Sequence, residues 1–211
     1  MIDHGTAAVG WALALLLPAL VAIAIVVLAP RLDRWRWLER AEAALADRIV
    51  HWHRPRTLAL FGDVSALGSS TLIMLFGALT AVAFWHHGAT DAALNAALAP
   101  AIAGPLGSVL KRLTGRVRPN QPAGAYFGSS LPSNHTLMAT ALYGTSALEL
   151  HAQLAAGEPL RGPVISVAFG VVAAVGVSRV LLRVHHPSDV VAAWLLGGAI
   201  VAALALRPAL G

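Results

Sequence analysis

Long apolar segments alternate with shorter polar segments along most of the chain. Six apolar segments are present, and they cover residues 9–29, 65–85, 92–110, 136–150, 163–182 and 190–206. A helix of about 20 apolar residues is long enough to cross the hydrocarbon core of a bilayer. The pattern therefore predicts an all-α bundle of six transmembrane helices. The fourth segment is the shortest, so we expect its helix to extend beyond residues 136–150.

A different pattern occupies residues 31–56, between the first and second predicted spans. Apolar side chains recur there every three or four residues, at Leu38, Ala41, Leu45, Ile49 and Trp52. Arg and Glu residues occupy the opposite side of the helix, and Trp35 and Trp37 lie near its start. Such a helix is typical of the lipid headgroup layer. We therefore predict an interfacial amphipathic helix; a charged linker is the alternative interpretation.

Composition supports an integral membrane protein. Of the 211 residues, 57% are hydrophobic and 12% are charged, whereas soluble domains carry about 25% charged residues. We expect one domain, residues 1–211, because a bundle of this length leaves no room for a second core. The chain has no cysteine, which excludes a disulfide, a thiolate nucleophile and Cys-ligated zinc. The net charge of +5 does not indicate nucleic acid, because the basic residues flank apolar segments; a phosphorylated lipid is the better partner.

Six spans would place residues 30–64, 111–135 and 183–189 on the same side of the membrane. Three polar clusters fall on that side: KRLTGRVRP at 111–119, LPSNHT at 131–136 and SRVLLRVHHPSD at 178–189. Cations that meet at a helix N-terminus form a site for an anion. Ser133 or Asn134 is placed to cap the helix that begins there. The clusters therefore predict a phosphate site.

The two histidines in these clusters add reactive groups to that site. Beside a bound phosphate, two imidazoles can supply a nucleophile and a proton donor. An aspartate bonded to one imidazole would fix its tautomer. This combination fits phosphoryl transfer through a phosphohistidine, with the cations neutralising the phosphate oxygens. We expect no cofactor and no metal, because no carboxylates are clustered to hold magnesium.

The three clusters resemble the signature of the type 2 phosphatidic acid phosphatase superfamily, which reads K-x6-R-P, P-S-G-H and S-R-x5-H-x3-D. The matching positions are Lys111, Arg118 and Pro119, then Pro132, Ser133, Asn134 and His135, then Ser178, Arg179, His185 and Asp189. The motifs span about 80 residues, and they follow one another in the family's order. The one departure is an asparagine at position 134, where the family has glycine.

The resemblance implies a role for each matching residue. His185 would be the nucleophile, Asp189 would orient it, and His135 would protonate the leaving oxygen and later activate water. Phosphate binding would fall to Lys111, Arg118, Arg179, Ser133 and the backbone around Asn134. Asn134 puts the shape of the phosphate cradle in question, and it points mildly to phosphatases of polyprenyl diphosphates.

The resemblance implies a phosphorylated membrane lipid as substrate. Polyprenyl diphosphate is favoured, while phosphatidate, phosphatidylglycerol phosphate and a lipid A-like glycolipid remain open. A lipid phosphotransferase that uses the same site is the first alternative. A non-catalytic protein that binds or transports a phosphorylated lipid is the second. Nothing in the sequence indicates the oligomeric state.

Three further polar residues lie near the motifs. We interpret His186 as a side chain at headgroup level, because it fills a variable position. Arg183 follows Arg179 by one helical turn, so it either contacts substrate or extends to the interface. Asp63 either pairs with a cation of the site or is a solvated carboxylate at a helix end.

Charge distribution and family resemblance disagree about the orientation in the membrane. Thirteen of the fifteen Lys and Arg residues lie on the side of the motifs, and the positive-inside rule would place that side in the cytoplasm. The resemblance implies both termini inside and an extracytoplasmic site. We expect the family orientation, in a bacterial inner or plasma membrane, because an interfacial helix uses arginines to bind anionic headgroups.

Overall fold

The computed structural model describes residues 4–32, 34–50, 54–119 and 128–207. These residues form helices and connecting turns, and no strand occurs in them. The helices are α1 His4–Leu32, α2 Arg36–Val50, α3 Pro55–Ala66, α4 Ser70–His86, α5 Thr90–Thr114, α6 Asn134–Gln153, α7 Arg161–Leu181 and α8 Pro187–Leu206. The predicted all-α class is confirmed for this part of the chain.

Fewer than six of the described helices qualify as membrane spans by length and composition. Within the described residues, α5, α7 and α8 are each long and apolar enough to cross a membrane. The number rises to five if α1 with α2, and α3 with α4, each count as one bent span. The prediction of six spans is therefore not confirmed. The helix at 136–150 does extend at both ends, as expected, to give α6.

Helix α6 is not among these spans because its polar residues lower its mean hydropathy. It packs against α5, α7 and α8, and it carries buried polar residues such as Thr136 and Thr145. Close contacts with α8 depend on glycine, since a Cβ at Gly197 would lie 2.6 Å from the Cβ of Thr140. Small residues of this kind allow two helices to approach closely. The result is a central helix whose first turn faces the phosphate motifs.

The predicted second span is broken near its start. Helices α3 and α4 meet at 42°, and Gly68 lies in the turn between them. A Cβ on Gly68 would lie 2.7 Å from the carbonyl oxygen of His135 and 2.8 Å from a methyl group of Val175. Ser69 begins the new helix, and its hydroxyl accepts a hydrogen bond from the amide of Leu72 at 3.4 Å. Glycine therefore lets this turn contact α6 and α7 beside the motif histidine.

Helix α2 runs crosswise to the end of α1. Residues 36–49 make an angle of 84° with residues 16–32 of α1. On α2 the apolar residues Ala41 and Leu45 are exposed, whereas Glu42 and Ile49 are buried. Position 52 lies outside the described residues. The buried face of α2 therefore includes the carboxylate of Glu42.

A polar clasp joins three helices at the end of the bundle opposite the motifs. The side chain of Arg207, just after α8, donates to Asn95 at 2.5 Å and pairs with Asp91 at 2.9 Å. Asn95 in turn donates to Glu149 of α6 at 2.5 Å. Asn95 precedes Lys111 by sixteen residues along α5, which is about 24 Å of helix. Glu149, near the C-terminal end of α6, is thus part of this network.

Candidate active site

The three motif clusters meet at one end of the bundle. They lie at the C-terminal end of α5, the first turn of α6, and the last turn of α7 with the first turn of α8. His135 lies within electrostatic range of four motif residues: Lys111, Arg118, Arg179 and His185. Lys111 is likewise within range of Asp189. The structure therefore brings together all six of the charged or imidazole side chains that the motifs contribute.

His185 is buried in the turn between α7 and α8. Its Nδ1 lies 3.6 Å from Oδ2 of Asp189, which is too long for a hydrogen bond, and Nδ1 has no other partner among the described residues. Burial lowers the pKa of His185 to about 4, even though the Asp189 carboxylate acts to raise it. The imidazole is therefore neutral near pH 7. A neutral imidazole keeps the lone pair that a nucleophile needs.

Three cations border the space next to these histidines. The ammonium of Lys111 donates to the backbone oxygen of Ser129 at 2.6 Å, and the guanidinium of Arg179 donates to Ser65 of α3 at 2.5 Å. The buried Nε atoms of Arg118 and Arg179 have no partner among the described residues. Their N–H groups therefore remain available to an anion. Positive groups held this close together create a potential that attracts phosphate.

The first turn of α6 leaves its backbone amides available to the same anion. Ser133 occupies the N-cap position, but its side chain makes no capping bond, so the predicted side-chain cap is wrong. Its hydroxyl instead accepts a bond from Thr136 at 3.0 Å, and its amide donates to the backbone oxygen of Asp189 at 3.2 Å. Uncapped amides at a helix N-terminus bind anions.

Asn134, which departs from the family motif, turns its side chain toward α5. A Cβ on Gly107 would collide with the side-chain oxygen of Asn134. That oxygen is buried and has no hydrogen-bond partner among the described residues. The asparagine is therefore accommodated by a glycine on the neighbouring helix.

A buried arginine that the sequence reasoning missed lies behind the histidines. Arg116 is 5% exposed, and its Nη1 donates to Oδ1 of Asp189 at 2.7 Å and to Ser188 at 2.6 Å. Its Nη2 pairs with Glu42 of α2 at 3.0 Å. Arg116 occupies a variable position of K-x6-R-P, so the motif itself gave no signal. An arginine between two buried segments was the only available indication.

His186 belongs to the same network, which the sequence pattern did not predict. Its Nδ1 lies 3.3 Å from Oε2 of Glu42, and its Nε2 lies 3.2 Å from the backbone oxygen of Val117. Its amide donates to Oδ2 of Asp189 at 2.8 Å, as the N-cap of α8. His186 therefore connects the start of α8 to α2.

A cavity of about 450 Å³ opens beneath α2 and reaches the site. His185, Arg118 and Arg183 line it together with residues of α2. Arg183 has a left-handed backbone, with φ of 56°, and its buried Nε has no partner among the described residues. Asp63 is exposed on α3 and forms no ion pair with the site cations in the described part of the chain. Arg183, rather than Asp63, is thus the additional charged residue at the site.

Clustered metal ligands do not occur in the described ranges, since no three His, Asp or Glu side chains are grouped there as a metal site would require. His135 is surrounded by the cations Lys111, Arg118 and Arg179, and the Asp189 carboxylate beside His185 is already paired with Arg116. Whatever binds between these cations must therefore carry negative charge of its own.

Comparison with known proteins agrees with the motifs. Residues 92–209, more than half of the chain, match the family model of the PAP2 superfamily. The fold is similar to the crystal structure of a transmembrane PAP2-type phosphatidylglycerolphosphate phosphatase from Bacillus subtilis, with a TM-score of 0.75 and 24% sequence identity over 90% of this chain and 94% of that one. No curated protein sequence gives a significant match. The chain therefore belongs to the PAP2 superfamily and is an integral membrane protein with the PAP2 phosphatase fold.

Proposed function

We propose that this protein is a metal-independent membrane lipid phosphatase that works through a phosphohistidine intermediate. The observation that carries the proposal is the buried, neutral His185, which lies beside Asp189 and within electrostatic range of the cations Lys111 and Arg179. Family membership supports hydrolysis of a lipid phosphate. The cations take the place of a metal, because they neutralise the phosphate oxygens in the transition state.

In the first step, Nε2 of His185 attacks the phosphorus, and the bond to the lipid oxygen breaks. Asp189 faces the opposite ring nitrogen, Nδ1, so it holds the Nδ1–H tautomer and stabilises the imidazolium that forms. His135, which takes up a proton when the anionic phosphate binds beside it, donates that proton to the leaving oxygen. The products are a lipid alcohol, or a lipid monophosphate when the substrate is a diphosphate, and the phosphohistidine.

In the second step, water attacks the phosphorus and the bond to His185 breaks. His135, now neutral, accepts a proton from the attacking water and so returns to its starting form. Inorganic phosphate leaves between Lys111, Arg118 and Arg179. A lipid hydroxyl in the place of water would make the same site a phosphotransferase.

For the substrate we favour a polyprenyl diphosphate, with phosphatidate and phosphatidylglycerol phosphate as the next candidates. Replacement of the motif glycine by Asn134 is a variation that resembles the motif of phosphatases acting on that substrate class. Arg183 adds support, because it lines the cavity beside His185 and so adds a cation to Lys111, Arg118 and Arg179. A second phosphate carries charge that a cation of this kind would neutralise.

The direct test is phosphate release by the purified protein in detergent, with a metal chelator present. We expect one of the three lipids to be hydrolysed well, and no loss of rate when the chelator is added. A requirement for magnesium would contradict the proposal. Phosphate transfer to an added lipid alcohol, without release in its absence, would favour the phosphotransferase.

We also propose that the site faces the extracytoplasmic side. Part of the positive charge on that side has a use within the protein, because Lys111, Arg116 and Arg179 make contacts inside the site. The positive-inside rule concerns charges in connecting loops, so its weight is reduced here.

Since the chain has no cysteine, single cysteines can report the orientation. Pro55 and Gly157 are both exposed, at opposite ends of the bundle. An impermeant maleimide should label Pro55→Cys in intact cells, and Gly157→Cys only after permeabilisation. The reverse pattern would place the site in the cytoplasm.

A further inference from the structure

Helix α2 reaches the active site through one buried carboxylate. Glu42 is 8% exposed, although the residues on either side of it in the helix, Ala41 and Ala43, are exposed. Its Oε1 accepts bonds from the amide of Ser188 at 3.2 Å and from the hydroxyl of Ser188 at 2.6 Å. Its Oε2 pairs with Arg116 at 3.0 Å. A crosswise helix is thus fixed to the first turn of α8, where the catalytic aspartate lies.

Arg116 joins this carboxylate to Asp189. The two guanidinium nitrogens point in different directions, Nη1 to Asp189 at 2.7 Å and Nη2 to Glu42 at 3.0 Å. The side chains of Arg116, Glu42 and Asp189 are 3%, 7% and 0% exposed. A buried carboxylate is stable only when it is paired and hydrogen-bonded. One guanidinium therefore serves two carboxylates that burial would otherwise disfavour.

The contacts also fix the orientation of the Asp189 carboxylate. Oδ1 is held by Arg116, and Oδ2 accepts the amide of His186 at 2.8 Å. With both oxygens held, the group cannot rotate about its terminal bond. Oδ2 is thereby kept facing Nδ1 of His185. The direction of the nucleophilic imidazole thus depends on a contact made on the far side of the aspartate.

We infer that Arg116 and Glu42 are positioning residues, which act on His185 through Asp189 and fasten α2 over the site. The inference rests on the proposed function, because it assumes that His185 is the nucleophile. Neither residue contacts the substrate in this account. Their loss should therefore lower kcat and leave KM nearly unchanged, since the phosphate-binding cations stay in place.

The test is a double-mutant cycle with Arg116→Met and Asp189→Asn. Each single substitution should lower kcat, Arg116→Met by about 10- to 100-fold, as is typical for a residue that orients a catalytic group. The double variant should be no slower than Asp189→Asn, because Arg116 acts only through that carboxylate. Arg112→Met is the matched control, since Arg112 is exposed on α5, and it should keep the wild-type kcat.

Two further variants keep the test informative if Arg116→Met does not fold. Arg116→Lys retains a charge but cannot bridge both carboxylates, so it should recover only part of the lost kcat. Glu42→Gln retains an acceptor for Ser188 and removes the charge that holds Nη2, so it should also lower kcat. Elution as a folded species in size-exclusion chromatography confirms that each variant is comparable.

The possible outcomes separate the two hypotheses. Full turnover by Asp189→Asn would contradict the proposed mechanism itself, whatever Arg116 does. A slow Asp189→Asn with wild-type kcat in Arg116→Met and Glu42→Gln would overturn only the positioning role. Effects that multiply in the double variant, or a rise in KM without a fall in kcat, would overturn it as well.

Discussion

Replacement of His185 by alanine should abolish phosphate release while the bundle remains folded. The substitution removes the nucleophile, and loss of a nucleophile lowers kcat by about 10⁴-fold or more. The fold should tolerate it, because His185 lies in a turn and its Nδ1 forms no hydrogen bond with the described residues that the substitution would remove. Phosphate release in detergent micelles measures the loss, and His87→Ala, at an exposed histidine after α4, is the control. Normal turnover by the alanine variant would refute the phosphohistidine route.

His185 should also make the stability of the protein depend on pH, and His185→Ala should remove that dependence. Burial holds the pKa of His185 at about 4, against 6.5 for the unfolded chain, so the unfolded state binds the proton more readily. Stability linked to this group is therefore present above pH 6.5 and is lost as the pH falls toward 4. Thermal unfolding of His185→Ala should depend less on pH in that interval than unfolding of the wild type. Equal slopes would contradict the buried neutral imidazole.

Replacement of His135 by alanine should separate the two chemical steps. A general acid contributes about 10² to 10⁴ in rate, so hydrolysis of a lipid phosphate should fall by that amount. The aryl oxide of an aryl phosphate leaves without being protonated. Phosphorylation of His185 should therefore persist with such a substrate. Hydrolysis of the intermediate should then be slow, because water has lost its base, and phosphoenzyme should accumulate.

Acid-labile, base-stable phosphate on the protein is the signature to measure for His135→Ala. The matched control is His135→Ala combined with His185→Ala, which should carry none. Absence of phosphoenzyme in the single variant, with equal loss of rate on lipid and aryl substrates, would show that His135 has some other role. Phosphoenzyme in the double variant would place the nucleophile elsewhere.

The candidate site could be predicted from sequence because each part of it is local. Lys111 and Arg118 lie within one motif, and His185 and Asp189 are four residues apart. Each motif also adjoins a helix end, which is a position that apolar patterning locates well. The structure places these groups at the same end of the bundle.

The support behind the site could not be predicted in the same way. Arg116 meets Glu42 across 74 residues of sequence and Asp189 across 73. Periodicity in α2 groups Ala41 and Leu45 on one apolar face, but an apolar pattern counts hydrophobic residues and takes no account of an ion pair. The buried face of α2 contains Glu42, because the carboxylate of Glu42 has buried partners there. The spacing of residues within one segment does not predict contacts between distant segments.

The prediction of six spans is not confirmed, for a related reason. Hydropathy measures composition and not surroundings, so Thr136 and Thr145 count against α6 although both are buried within the protein. The break between α3 and α4 depends on Gly68 meeting His135 of another helix. A single glycine in an apolar run does not reveal such a contact.

Helix α8 connects the active site with the clasp at the far end. Asp189 lies in its first turn, and Arg207 follows its last residue. Insertion of one residue between them would rotate one end relative to the other by about 100° and shift it by about 1.5 Å. Either the aspartate would turn away from Arg116 or the arginine would turn away from Asn95. The segment from 190 to 206 should therefore accept changes of side chain at exposed positions such as Val191 and Leu195, but no change of length.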